Sequence, residues 1–324
     1  MAPRRSSPAA KTRRPAAVEL DIPAGVNDAT VAVAGRDVRL TNLRKVFWAS
    51  LGLTKRDLLQ YYADVSPLLL PHIQDRPMVM KRYPDGAASE PFFMKRAPSP
   101  RPPWVRTCPV DHGEKGSIDF PVIDDLPSLL WVVNLGCIDL NQWYGRCDDP
   151  SSPDYLHFDL DPGPEAPFAQ VCDAGHLVRE TLVALGMTPL VKTSGSRGLH
   201  VYVPIVRGPD QKVVWTVAQV LAADLARRHR GVLTTQYRLA TRPRDRVLVD
   251  YYQNAWGRTL ASVYSVRPTA LATVSTPVTW DEVGPGLAIE QFRLQDVRDR
   301  LAQLGDLWKP LLSQKGRTDL TTFM

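Results

Sequence analysis

Short apolar runs of strand length alternate along this chain with longer stretches that keep a helical period. Residues 31–42 alternate as a hairpin around Gly35-Arg36-Asp37, and Thr54 is placed to cap a helix through Tyr61, Tyr62 and Leu68. Strand patterns follow at 78–83, 92–96, 104–108 and 118–123. Asp124 and Asp125 open a helix carrying Leu129, Leu130, Val133 and Leu135, which Gly136 ends. Residues 138–143 and 155–160 then read as adjacent strands. Beyond them, 168–185 keeps helical spacing up to Gly186, 190–193 and 199–204 are strands, and 210–229 is a helix. A strand at 246–252 and a last helix at 291–304 complete the pattern. Strands interspersed with helices, several in hairpin order, predict an α/β (α+β) protein with a mixed sheet.

Composition sets the limits of that pattern. Residues 1–28 are rich in Pro, Ala, Ser and Arg without hydrophobic period and read as a disordered basic tail. A body at 29–310 follows, divided at about 150 and about 275, and 311–324 reads as a C-terminal tail. With 324 residues, 44% apolar and 23% charged, the chain has material for a sizeable core. No apolar run approaches the roughly 20 residues of a membrane helix. The N-terminus also lacks the apolar segment of a secretory signal, so a cytoplasmic protein is expected. Cys108, Cys137, Cys147 and Cys172 show no CxxC spacing and read as reduced thiols. Cys108 and His112 make half of a zinc site, but no second pair follows nearby.

Charge narrows the partners. The net charge is +6, of which Arg4, Arg5, Lys11, Arg13 and Arg14 supply five, so the body is almost neutral. Its basic residues are nonetheless clustered. Between Lys192 and Arg258, 12 Lys and Arg face four Asp, and Lys81, Arg82, Lys95, Arg96, Arg101 and Arg106 face only Asp85 and Glu90. Such clusters suit a polyanion, since phosphate contacts supply most non-specific nucleic-acid affinity.

Between the two clusters lies Tyr155-Leu156-His157-Phe158-Asp159-Leu160-Asp161-Pro162. In a strand, Asp159 and Asp161 share one face and repel one another unless a cation sits between them. Mg²⁺ or Mn²⁺ is the natural resident. Asp161 could equally cap the Asp-Pro-Gly turn. A second element, Lys192-Thr193-Ser194-Gly195-Ser196-Arg197-Gly198-Leu199-His200, combines a glycine turn, hydroxyls and an Arg fork suited to a triphosphate. A third, Arg246-Val247-Leu248-Val249-Asp250, ends an apolar strand in another carboxylate. Three carboxylates can hold two divalent ions for phosphoryl transfer.

This ordered set resembles the archaeo-eukaryotic primase superfamily and, more narrowly, the polymerase domain of bacterial ligase D. The resemblance runs from about Val33 to Arg267. It implies metal ligation by Asp159, Asp161 and Asp250, and nucleotide contacts from Lys81, Ser194, Arg197, His200, Gln253 and Arg267. It also implies a DNA 5′-phosphate pocket at Asn42, Lys45 and Lys55, and template stacking by Phe92 and Phe93. In a core strand, alternation would instead bury one of those two phenylalanines and expose the other. Asn141 stands where many members carry His, and Arg197 where Lys is common. The implied activity is templated addition of nucleotides, ribonucleotides preferred, at gaps and broken DNA ends. Implied cofactors are two Mn²⁺ or Mg²⁺ ions; implied partners are gapped 5′-phosphorylated DNA, Ku and an ATP-dependent DNA ligase at the bacterial nucleoid. De novo priming, a metal-dependent nuclease and a non-catalytic end-holding module remain open alternatives.

Overall fold

A computed structural model describes residues 20–323, so the five basic residues of the expected tail lie outside the described residues. Of that expected tail the structure describes residues 20–28, mostly exposed but pinned at one point. Ile22 is fully buried, and its N–H donates to Gln60 Oε1 at 2.9 Å.

The chain enters through a hairpin of β1 (Ala29–Val33) and β2 (Arg36–Leu40), followed by paired β3 (Val46–Trp48) and β4 (Leu53–Thr54). Thr54 caps α1 (Lys55–Ile73), its N–H received by the Asp57 carboxylate at 2.7 Å in a reciprocal capping box. Helix α1 lays Leu58, Leu59, Tyr61 and Tyr62 into the core. Next come β5 (Met78–Arg82), β6 (Phe92–Met94), the hairpin of β7 (Thr107–Asp111) and β8 (Ser117–Pro121), then α2 (Leu126–Asn134) and β9 (Cys137–Gln142). The strand expected at 104–108 starts later because Val105 turns back onto the Pro102 carbonyl. Residues 138–143 are extended as expected, but β9 pairs with β5 in a sheet ordered β6-β5-β9, not with the following long strand.

A short hairpin of β10 (Gly145–Arg146) and β11 (Asp149–Pro153) leads into β12 (Tyr155–Pro162). After it come α3 (Phe168–Ala184), β13 (Leu190–Thr193), β14 (Leu199–Pro204), α4 (Gln211–Arg228), β15 (Leu233–Thr234), β16 (Val247–Asp250) and β17 (Pro277–Val278). These strands form one sheet ordered β15-β16-β12-β14-β13-β17, with only β15 and β16 parallel. Helices α3 and α4 pack against it. Strand β16 stops at Asp250, not 252, because the Asp250 carboxylate accepts the Tyr252 N–H at 2.8 Å and starts a tight turn.

The last helices are shorter than the sequence pattern suggests: α5 (Val297–Leu304) and α6 (Lys309–Leu312). Residues 291–296 lie outside α5, where Ala272 and Val274 exchange backbone bonds with Phe292 and Leu294. The segment expected to trail beyond 310 is folded back. Leu311 and Leu320 are buried, and the Thr318 N–H donates to the Pro204 carbonyl at the end of β14. Among the described residues no helix is long and apolar enough to cross a membrane.

One buried ion pair ties the two halves together. Arg76, just after α1, donates from Nη2 to both carboxylate oxygens of Asp154 at 2.7 Å, immediately before β12. Burial pushes the Asp154 carboxyl up, but Arg76, Arg146 and Arg317 outweigh it and hold the group below its ordinary range. Breaking a buried pair by removing one partner costs about 3–5 kcal/mol. Asp154→Ala should therefore lose about that much in denaturant unfolding. A group with depressed folded pKa contributes stability above its unfolded pKa of about 3.9 and loses it as pH falls through the folded value. The wild type should accordingly lose this contribution below about pH 4, and Asp154→Ala should show a smaller acid-side loss. Equal acid profiles would refute the role given to this pair.

Candidate active site

Strand β12 carries the site because its two neighbours bring chemistry from either side. Asp159 lies in register opposite Asp250 on β16 and opposite His200 on β14. Leu156, Phe158 and Leu160 are fully buried and anchor the strand. Burial, with Asp250 and Asp161 beside it, pushes the Asp159 carboxyl up to about 8. A carboxylate surrounded by carboxylates in a dry cleft is a site that favours a bound cation. The donor set is all oxygen, which suits Mg²⁺ or Mn²⁺. Among the described residues no three such side chains already converge as a closed metal cluster. Asp161 instead contacts Arg197 at 3.3 Å and Arg242 at 3.4 Å, and Asp250 accepts from Gln253 Nε2 at 3.0 Å.

The β13–β14 turn forms the facing wall. Gly195 has φ +68, and a side chain there would collide with Arg267 Cγ and the Ser275 N–H. Gly198 passes so close to β12 that an added Cβ would lie 2.1 Å from the Leu160 carbonyl oxygen. The two glycines are required by position. Ser194 Oγ accepts the N–H groups of Ser196 (3.1 Å) and Gly198 (3.0 Å), so these donors shape the turn and are not free for phosphate. Charged side chains line the space between that turn and β12 instead. A cleft of about 310 Å³ is lined by Lys81, Asp159, Asp161, Arg197, His200 and Arg267, with Phe93, Ser194 and Asn141 also on its wall. Gln253 is absent from that lining and acts on Asp250.

Two residues of the site carried no role in the sequence reading. Lys192 is fully buried; its Nζ contacts His200 Nδ1 at 2.8 Å, the Ala261 carbonyl at 3.0 Å and Ser275 Oγ. Burial, with Lys192 and Arg267 nearby, drives His200 well below its ordinary pKa, so the imidazole is neutral. Its Nδ1 faces Lys192 Nζ, and its Nε2 lies 3.4 Å from Asp159. Asp139 is the second. It is buried and lies 3.3 Å from Arg267 Nε, while Arg267 Nη1 donates to the Ser194 carbonyl at 2.7 Å. A lone Lys within Leu190-Val191-Lys192-Thr193 was the available signal for the first, and Asp139 inside Ile138-Asp139-Leu140 for the second.

The other expected groups gather elsewhere. Phe92 and Phe93 are both exposed, at 42% and 62%, so alternation does not bury either one. Arg82 lies over the Phe92 ring at 5.0 Å and Lys81 over Phe93 at 5.5 Å. Asn42, Lys45 and Lys55 come together at the start of α1. The Lys45 N–H donates to the Asn42 carbonyl, the Lys55 N–H to the Lys45 carbonyl, and Lys55 Nζ to the Thr41 carbonyl at 2.7 Å. Burial and then Lys45 lower Lys55 to about 8.

Known proteins resemble this chain in sequence and fold. The family described as LigD, primase-polymerase domain, matches residues 54–308. The multifunctional non-homologous end joining protein LigD of Mycolicibacterium smegmatis is 33% identical over 289 residues, covering 88% of this chain and 38% of that protein. The bifunctional LigD of Bacillus subtilis is 30% identical over 270 residues, covering 83% of this chain and 43% of that protein. The chain thus spans less than half the length of these curated relatives. The polymerase domain of Mycobacterium tuberculosis ligase D, solved in complex with DNA, superposes with a TM-score of 0.80 at 32% identity. That match covers 85% of this chain and 98% of that one.

The close approach at Gly198 is open to a direct check. Gly198→Ala should destabilise the protein by about 1–3 kcal/mol, the usual cost of overpacking, because the new methyl must displace β12. Unfolding at the wild-type denaturant midpoint would rule that contact out.

Proposed function

The chain belongs to the LigD primase-polymerase family, a family of DNA nucleotidyltransferases, and from that premise we propose that it extends primer ends at gaps and broken DNA ends in non-homologous end joining. The observation that carries this reading is the register of Asp159 against Asp250, with the cationic β13–β14 turn on the other side of the same strand. A hydrolase has no use for Lys81, Arg197 and Arg267 lining the cleft of Asp159 and Asp161. A polymerase needs them to hold a triphosphate.

Asp159, Asp161 and Asp250 would hold two Mn²⁺ or Mg²⁺ ions, which when bound activate the primer 3′-hydroxyl and neutralise the departing pyrophosphate. The chain's own residues do the rest. His200 backs Asp159 from β14, and Lys192 holds the His200 ring in place. Gln253 fixes Asp250, and Asp139 with the Ser194 carbonyl aims Arg267. Lys81, Ser194 and Arg197 complete the triphosphate contacts. Phe92 and Phe93 offer exposed faces for template bases, which stacking holds without reading sequence. Asn42, Lys45 and Lys55 form the 5′-phosphate pocket of the downstream strand. The catalytic body of residues 29–310 would act with Ku and an ATP-dependent DNA ligase near the bacterial nucleoid. The family resemblance adds a preference for ribonucleotides.

Extension of a labelled primer on gapped, 5′-phosphorylated DNA tests the reading. Wild-type protein should add templated nucleotides with Mn²⁺, incorporate NTPs ahead of dNTPs, and release pyrophosphate. Asp159→Ala should fold but reduce extension to background; retained extension would sink the assignment. Primer shortening would instead identify a nuclease.

The 5′-phosphate pocket has its own signature. Replacing both Lys45 and Lys55 with Ala should erase the preference for phosphorylated over hydroxyl-ended gaps. Lys55 is fully charged only below its lowered pKa of about 8, so charge is lost as pH rises through that value. The preference should therefore weaken between about pH 7 and pH 9. Lys55→Ala should flatten this dependence, and Lys45→Ala should keep it. An unchanged pH profile in Lys55→Ala would remove Lys55 from the pocket.

A further inference from the structure

Beside the third carboxylate, and outside the cleft already described, a groove of about 440 Å³ is lined by Trp215, Tyr252 and Trp256, with Gln211 and Lys212 on its rim. Trp256 is 45% exposed and Tyr252 39% exposed. Aromatic rings left open to water in one contiguous patch, here lining a groove, are the kind of surface that marks a binding site. These rings are also held in place. Trp256 sits edge-on against buried Trp143 with centroids 4.8 Å apart, and Tyr252 lies between Tyr237 at 5.5 Å and Trp215 at 6.3 Å. Arg258 lies over the Tyr252 ring at 5.3 Å. Asp210 is the acid nearby, and its carboxylate is spent accepting the Val213 N–H at the start of α4. Fixed aromatic faces beside Arg258 and Lys212 suit an unpaired base with its phosphate.

The sheet order says which strand that base belongs to, given the polymerase reading above. Strand β12 lies between β16 and β14. The triphosphate cradle is on the β13–β14 side. In-line displacement places the attacking oxygen opposite the departing pyrophosphate, hence on the β16 side. The groove adjoins that side directly. Tyr252 follows Asp250 by two residues and donates its N–H to Oδ1, and Gln253 donates to Oδ2. We propose that Trp215, Tyr252 and Trp256 form a stacking subsite for a base at the 3′ end of the primer strand, holding an unpaired end in reach of the nucleotide being added.

The test uses the full chain and a DNA duplex whose single-stranded 3′ overhang ends in 2-aminopurine, a base that loses fluorescence when stacked. Wild type should quench it. Trp256→Ala and Tyr252→Ala should weaken binding of the overhang about five- to hundredfold, the range for losing one base–aromatic stack. Trp256→Phe should restore most of the quenching. In extension assays both Ala variants should raise KM for the overhanging primer, and Trp256→Ala should leave KM for the nucleotide and kcat at saturating primer near wild type. Overhang binding and primer KM at wild-type values would overturn the proposal, as would an equal loss of affinity for blunt duplex. Quenching without nucleotide incorporation would preserve the groove and reject the polymerase reading; extension insensitive to both variants would do the reverse.

Discussion

Three carboxylates carried side by side on two paired strands, β12 and β16, are the constraint around which this protein is built. Left alone, Asp159, Asp161 and Asp250 would push β12 and β16 apart. The backbone ladder prevents it: β12 is hydrogen-bonded on both edges, to β14 over six residue pairs and to β16 over four. Fully buried Leu156, Phe158, Leu160 and Val249 fix the strands from behind. Arg197 and Arg242 then offset the charge on Asp161, while the buried Lys192–His200 pair backs Asp159. Repulsion that an ordinary fold would avoid is retained here, and it is what makes the site favour bound cations.

The sheet also gives the site a direction. One neighbour of β12 supplies the glycine turn and the positive charges; the other supplies the third carboxylate and the aromatic groove after it. Incoming nucleotide and growing strand need different surroundings, charge for the first and stacking faces for the second. In the proposed reading, an antiparallel central strand with unlike edges would separate them. Gly198 lets the β13–β14 turn lie close against β12, because only a residue without a side chain can cross the Leu160 carbonyl at this distance.

The N-terminal lobe serves the site from outside the central sheet. Strand β5 delivers Lys81 into the cleft while its neighbour β6 presents Phe92 and Phe93 to solvent. Strand β9, on the other edge of β5, contributes Asp139, which fixes Arg267. The Arg76–Asp154 pair and Arg317, which donates to the carbonyls of Asp154 and Ile205, lock the lobe, the sheet and the C-terminal segment to one another. Displacing any of these would move the cationic groups relative to the carboxylates.

Much of this was legible in the chain itself. Period-2 spacing put Asp159 and Asp161 on one face, glycines marked the turn between β13 and β14, and an apolar run ending in Asp250 announced a third carboxylate. These signals are local, and local sterics and hydrogen bonding suffice to read them. Strand partners were another matter: β9 joins β5 although it looked like a neighbour of 155–160, since pairing is decided by which buried faces meet, far apart in the chain. The same holds for Lys192 and Asp139, ordinary charged residues in apolar strands until folding seals them against His200 and Arg267. The exposed Phe92-Phe93 pair, the packed ends at Ile22 and Leu320 and the groove at Trp256 likewise depend on contacts between segments tens to hundreds of residues apart. The sequence by itself determined which chemistry this protein carries; only the tertiary structure decided which side of the central strand each part of it serves.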